Sequence, residues 1–289
     1  MKLGLTTNIF SEALWAGEVN LGGIVELAEE EGFGAIEVRD DDATLDTSEL
    51  AGFVKDAAAA GIELSYAVNN DMSYRDDQAL IERGIERACS CGEGTVLRFL
   101  ASQSALTGEG KKGYSAQEVR RIVEALHSYA QAATQSDVSL ALEHAREPLY
   151  GDGETFFGLH DIFVEIEHSG GVPDDLGITF DPANAISAGL CKAPATPAKV
   201  LEFLATHSQF IALVHLKTTR SGRVAPTIGD ADIDNEALFE SLAKVYKGVV
   251  CIEIPPAGDL LSCRRNIEAS LDYLRSSGLM GYFAQKGRA

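Results

Sequence analysis

Residues 95–143, TVLRFLASQSALTGEGKKGYSAQEVRRIVEALHSYAQAATQSDVSLALE, hold one complete repeat of the architecture. The run TVLRFL reads as a strand, Ser115 opens a helix-like stretch AQEVRRIVEALHSYAQAAT, and VSLALE reads as the next strand. Short runs of β-branched and apolar residues alternate here with a 3.6-residue apolar period. Strand, helix, strand is the unit from which parallel sheets are built.

The same unit recurs outward in both directions. The runs KLGLTTNIF, AIEV, IELSYAV, TVLRFL, VSLALE, LGITFD, IALVHLK and VVCIEI follow one another along the chain at about 35-residue intervals, the length of one βα unit. Asn20, Ser48, Ser115 and Asn235 stand before helix-like stretches as N-caps, and Gly32, Gly61, Gly92 and Gly248 follow helices where a left-handed residue would end them. Eight strands alternating with helices predict the α/β class and a closed (β/α)₈ barrel. A doubly wound open sheet competes, but no G-x-G-x-x-G follows the first strand. No Pro- or Ser-rich linker divides the chain, so residues 1–289 read as a single domain.

Composition narrows the partners. The chain has 289 residues, 45% of them hydrophobic, with 44 acidic against 24 basic side chains and a formal charge of -20. That field repels phosphate backbones and anionic lipid, so neither nucleic acid nor membrane is an expected partner. The opening MKLGLTTNIF turns polar too soon for a signal peptide and no apolar run approaches a membrane span. Five cysteines in a long chain imply no disulfide framework, and a reducing cytoplasm is the expected compartment. Cys89 and Cys91 read as helix-packing residues, and Asp40, Asp41 and Asp42 as a solvated loop.

Chemistry concentrates at strand ends. Glu143 ends VSLALE, Asp181 ends LGITFD, His215 follows IALV and Glu253 follows VVCI. Active sites of a (β/α)₈ barrel lie at the C-terminal mouth, where such side chains converge. Three carboxylates and one imidazole suit a hard divalent cation. Side-chain alternation also turns Glu37 and Arg39 of AIEVRD inward, where charges must be paired or ligating. Lys217 and Arg98 stand where they would orient substrate hydroxyls. Arg146, Arg220 and Arg223, on loops after strands five and seven, would receive a carboxylate or phosphate or else form surface ion pairs. Trp15 after strand one would stack on a sugar or pack on the rim, and His144, on the opposite face from Glu143, favours a packing or outer-shell role.

LALEH, ITFDPAN, VHLK followed by GDADID, and VVCIEIP, in this order, resemble the xylose isomerase-like TIM barrel superfamily of sugar isomerases and epimerases. That superfamily also includes inosose dehydratase-like lyases and endonuclease IV-like nucleases. The resemblance, closest to ketose 3-epimerases, implies that Glu143, Asp181, His215 and Glu253 bind one divalent ion, Mn²⁺, Mg²⁺ or Co²⁺, with Zn²⁺ also admitted. It further implies that Glu143 and Glu253 move the proton through a cis-enediolate of a small sugar, keto-sugar or polyhydroxy acid. Asn184 stands where many members carry a substrate-touching His. The extra histidines of the nucleases are missing from IELSYAVNN and TVLRFLASQ, which disfavours that branch. A dehydratase of the inosose or dehydroshikimate type is the second expectation and a non-catalytic ligand-binding barrel the third. A homo-oligomer is left open.

Overall fold

The computed structural model of the protein describes residues 1–69, 77–100, 113–144, 147–187 and 194–284. Parallel strands β1 Lys2–Thr6, β2 Ala35–Arg39, β3 Glu63–Ala67, β4 Thr95–Leu100, β5 Val138–Glu143, β6 Leu176–Phe180 and β7 Ile211–Leu216 follow one another along the chain. A short ribbon of β8 Thr219–Arg220 and β9 Arg223–Val224 comes next, and β10 Val249–Ile252 completes the set. The barrel closes in the order β1-β10-β7-β6-β5-β4-β3-β2, with the ribbon outside it. The eight expected strands are thus the eight barrel strands.

Alternation along each strand decides what goes where. Ile36 and Val38 of β2, Leu140 and Leu142 of β5, and Val250 and Ile252 of β10 all join the large core between strands and helices. The positions between them face the barrel axis, where Ala35, Leu213, Val249 and Cys251 form a small separate cluster. Space there is tight: a Cβ at Gly4 would lie 2.9 Å from Cys251 Sγ and 3.1 Å from the Ala35 Cβ. Apolar side chains therefore plug the N-terminal half of the interior, and charged ones occupy the mouth.

Helix ends follow local chemistry. Asn20 Oδ1 accepts from the Gly23 amide, and Ser115 with Glu118 forms a reciprocal capping box. Gly32 ends its helix in the left-handed region. Two expected caps shift by one or two residues, because Asp46 and Asp234 precede Ser48 and Asn235 and take the amides first. Gly248 is not left-handed; it is needed instead because a Cβ would fall 2.4 Å from the Tyr246 hydroxyl, which donates to the Val249 carbonyl at 2.8 Å.

Two surface expectations change as well. Cys89 is exposed on helix Asp77–Cys91, whereas Cys91 is half-buried against the core. Asp40 is not solvated: it is buried, and its carboxylate accepts from the Thr44 and Leu45 amides, both at 2.9 Å, and from the Tyr66 hydroxyl. Asp41 and Asp42 are exposed as expected. No described helix is long and apolar enough to cross a membrane.

Candidate functional site

Four strand ends bring Glu143, Asp181, His215 and Glu253 together, each offering one ligand atom within 4.8 Å of the others, all buried. Register explains the convergence. His215 of β7 pairs with Cys251 of β10, two residues before Glu253, and Glu143 of β5 pairs with Thr179 of β6, two residues before Asp181. Successive inward positions on neighbouring strands therefore meet at one level of the mouth.

Each of the four turns one atom to the common point while a partner holds its other atom from outside. Asp181 Oδ1 caps helix Pro182–Ile186, accepting from the Ala183 amide at 2.9 Å and the Asn184 amide at 3.0 Å. Arg98 of β4 grips Glu143 Oε2 through Nε and Nη2. Arg39 Nη2 holds Glu253 Oε1 at 2.9 Å. His215 Nε2 lies 2.9 Å from Glu37 Oε2.

The inward atoms crowd one another. His215 Nδ1 is 2.7 Å from Glu253 Oε2 and 3.2 Å from Glu143 Oε1. Lys217 Nζ lies 2.7 Å from Asp181 Oδ2 and 2.9 Å from Glu253 Oε2, and Asn184 Nδ2 donates to Glu143 Oε1 at 3.1 Å. Asp181 Oδ2 and Glu253 Oε2 are buried and face the Lys217 ammonium, with the His215 ring also against Glu253. Buried carboxylate oxygens are costly unless a cation sits against them, as the ammonium does here and as a bound metal ion would. Three carboxylates and one imidazole converging on one point would suit a hard divalent ion such as Mg²⁺ or Mn²⁺.

Electrostatics follow from burial and contact. Burial pushes the Glu253 and Glu143 carboxyls up, but Lys217, His215 and Arg39 around the first, and Arg98 and His215 around the second, hold both well below the usual range. For Asp181, burial outweighs Lys217 and raises it. Burial disfavours charge on His215, yet Glu37, Glu253 and Glu143 raise it well above 6.5. Four buried carboxylates thus face Arg39, Arg98, Lys217 and His215.

The remaining candidates divide. Arg98, Asn184 and Lys217 belong to the cluster. Trp15 is 92% exposed, and Arg220 is exposed and turns away, its Nε donating to the Asp230 carbonyl at 2.9 Å. The turn between β8 and β9 aims it there, with Ser221 and Gly222 both at positive φ and both amides on the Asp232 carboxylate. Arg223 is exposed on the same ribbon, and Arg146 lies outside the described residues. His144 is buried with neither ring nitrogen hydrogen-bonded, while its carbonyl accepts from Asn184 Nδ2 at 3.1 Å.

Asn69, which no motif pointed to, accepts from Arg98 Nη1 at 2.9 Å and Arg39 Nη1 at 3.2 Å, tying the two guanidinia together. Arg39 also lines two cavities beside the cluster, of about 670 and 390 Å³, that share Thr7, Leu14, Leu45 and Glu49.

Residues 25–277 match the xylose isomerase-like TIM barrel family. The chain belongs to that family. Among curated proteins none matches it. Among solved structures, D-psicose 3-epimerase from Clostridium cellulolyticum H10, determined with D-tagatose, superposes with a TM-score of 0.70 at 15% identity, covering 96% of this chain and 99% of that one. An L-ribulose 3-epimerase gives a TM-score of 0.70 at 18% identity over 97% of this chain and 94% of that one. A xylose isomerase-like TIM barrel protein from Mycobacterium smegmatis in complex with magnesium gives 0.66 at 16% identity, over 96% and 97%. At such identities the likeness carries the fold.

Proposed function

We propose that the protein is a metal-dependent sugar isomerase or epimerase that moves a proton beside the carbonyl of a small sugar, keto-sugar or polyhydroxy acid. The observation that carries this reading is the convergence of Glu143, Asp181, His215 and Glu253 within 4.8 Å at the barrel mouth, each braced from behind. A divalent cation held by these four would polarise a substrate carbonyl and stabilise the charge developing on its oxygen. Mn²⁺, Mg²⁺ and Co²⁺ suit the donor set.

The protein's own groups supply the rest. Glu143 and Glu253 are ionised at neutral pH, the state in which a carboxylate accepts a proton from carbon. They rise from strands separated by β6 and β7, so they approach a substrate from different sides. Arg98 and Arg39 fix their angles and keep protonation brief, since a protonated carboxyl weakens its hold on a guanidinium. The Lys217 ammonium, 3.4 Å from Asn184 Oδ1, would donate to a substrate oxygen. Epimerase neighbours acting on D-psicose and L-ribulose support a small carbohydrate substrate.

Lys217 favours one second reading. An ammonium inside the cluster can protonate a departing hydroxyl, which would make the enzyme a dehydratase. Incubation of the Mn²⁺-loaded protein with ketoses, aldoses and inososes in D₂O separates the two. The proposal expects deuterium at the carbon beside the carbonyl in a product that has lost no water. A product lighter by one water selects the dehydratase, and no exchange with any substrate contradicts both.

A further inference from the structure

The braces on the three carboxylates and on His215 differ in what they decide. A carboxylate offers either oxygen with equal chemistry, but an imidazole has one protonated and one bare nitrogen when neutral, and its partner selects which is which. Glu37 is that partner. It stands on β2, fully buried, with Oε2 2.9 Å from His215 Nε2. Arg39 Nη2 lies 3.5 Å from Oε1 and favours the anion. A carboxylate is an acceptor, so once a cation takes Nδ1 the remaining ring proton stands on Nε2 against Glu37.

The other nitrogen faces the ion site. Nδ1 is the atom near Glu253 Oε2 and Glu143 Oε1, the inward oxygens of two other ligands. A carboxylate behind a ligating imidazole fixes ring orientation and makes the bare nitrogen more basic. Glu37 neither ends its strand nor adjoins a ligand in sequence, standing 178 residues from His215.

We infer that Glu37 is a positioning residue that anchors the His215 ring through Nε2, so that Nδ1 is the atom presented to the divalent ion. The inference rests on the metal reading above and adds the donor atom and the residue that selects it. Glu37 takes no part in proton transfer.

The test is a long-range ¹H–¹⁵N spectrum of the full chain carrying ¹⁵N-histidine, recorded with and without Zn²⁺, with His215 assigned by its loss in His215→Asn. The expected spectrum with Zn²⁺ shows a protonated Nε2 and a metal-shifted Nδ1. Glu37→Leu should erase that signature and weaken Zn²⁺ and Mn²⁺ binding by about 10- to 100-fold. Glu37→Gln, which keeps an acceptor oxygen, should recover most of the affinity. Zn²⁺ on Nε2 would overturn the inference, as would an unchanged His215 signature and affinity in Glu37→Leu. If Glu37→Leu fails to fold, the wild-type spectrum decides alone. Zn²⁺ binding that leaves His215 unmoved but is lost in Asp181→Ala would defeat this inference and spare the metal reading. Absence of binding would defeat both.

Discussion

The two faces of the same strands carry opposite chemistry. Outward, Leu140, Leu142, Val250 and Ile252 pack against helices in one continuous core; inward, their immediate neighbours Ala141, Glu143, Cys251 and Glu253 are small, polar or charged. The outer face supplies stability through apolar burial. The inner face gives that up at the mouth, where four carboxylates are held by cations instead of hydrocarbon. Damage outside should therefore cost folding, and damage inside should cost binding and turnover.

The largest effect is expected outside. Phe239 is fully buried and packs on Tyr282 and Phe283, so Phe239→Ala should lower unfolding free energy by about 3–5 kcal/mol, with or without metal. Urea melts check this, and a loss that vanishes on adding Mn²⁺ would blur the division between the faces.

Inside, Glu143→Gln and Glu253→Gln should each lower turnover on the identified substrate by about 10²-fold or more, roughly 3 kcal/mol in the barrier, because an amide cannot take the proton. Melting temperature without metal should change far less than in Phe239→Ala. If one variant retains most of its turnover, a single base serves, and Lys217 is the next group to examine.

Lys217 sharpens the inner face further. Its ammonium lies against Asp181 Oδ2 and Glu253 Oε2, two of the inward oxygens. A divalent ion must share or displace it. Lys217→Met should therefore bind Mn²⁺ on the order of tenfold more tightly in calorimetry. Weaker binding would mean that Lys217 holds the carboxylates in place.

The smallest effect is a pH dependence far from the mouth. His207 packs among Phe163, Phe203 and Phe210, its Nε2 2.9 Å from His160 Nδ1, and burial with His160 nearby lowers it to about 4. A histidine depressed in the folded state contributes stability that is complete above its ordinary value of 6.5 and is lost as pH falls toward 4. Melting should weaken over that window by roughly 1 kcal/mol after allowance for solvent screening. His207→Phe should flatten the slope, and an unchanged slope would place the acid sensitivity elsewhere.

Legibility in the sequence follows the same division. The strands were readable because their outer positions repeat every second residue, and the same alternation turned Glu37, Arg39 and His215 inward. The four converging residues were readable because each ends or closely follows a strand. Asn69 was not, since its role comes from two arginines meeting over a loop. Trp15, at the end of helix Ser11–Trp15, is exposed, and Arg220 is exposed with its Nε on the Asp230 carbonyl, contacts that position along the sequence does not reveal. Helix starts shifted at Asp46 and Asp234 because two capping side chains stand within one turn and the earlier takes the amides.

Titration of the purified, metal-stripped protein with Mn²⁺, followed by the loss of the free-ion EPR signal, tests the central claim most directly. One Mn²⁺ per chain should bind to the wild type and none tightly to Asp181→Ala or His215→Ala, and uptake should strengthen as pH rises because the ion must displace the proton that raised His215 retains. Mn²⁺ binding of equal strength in wild type and both variants would contradict the account.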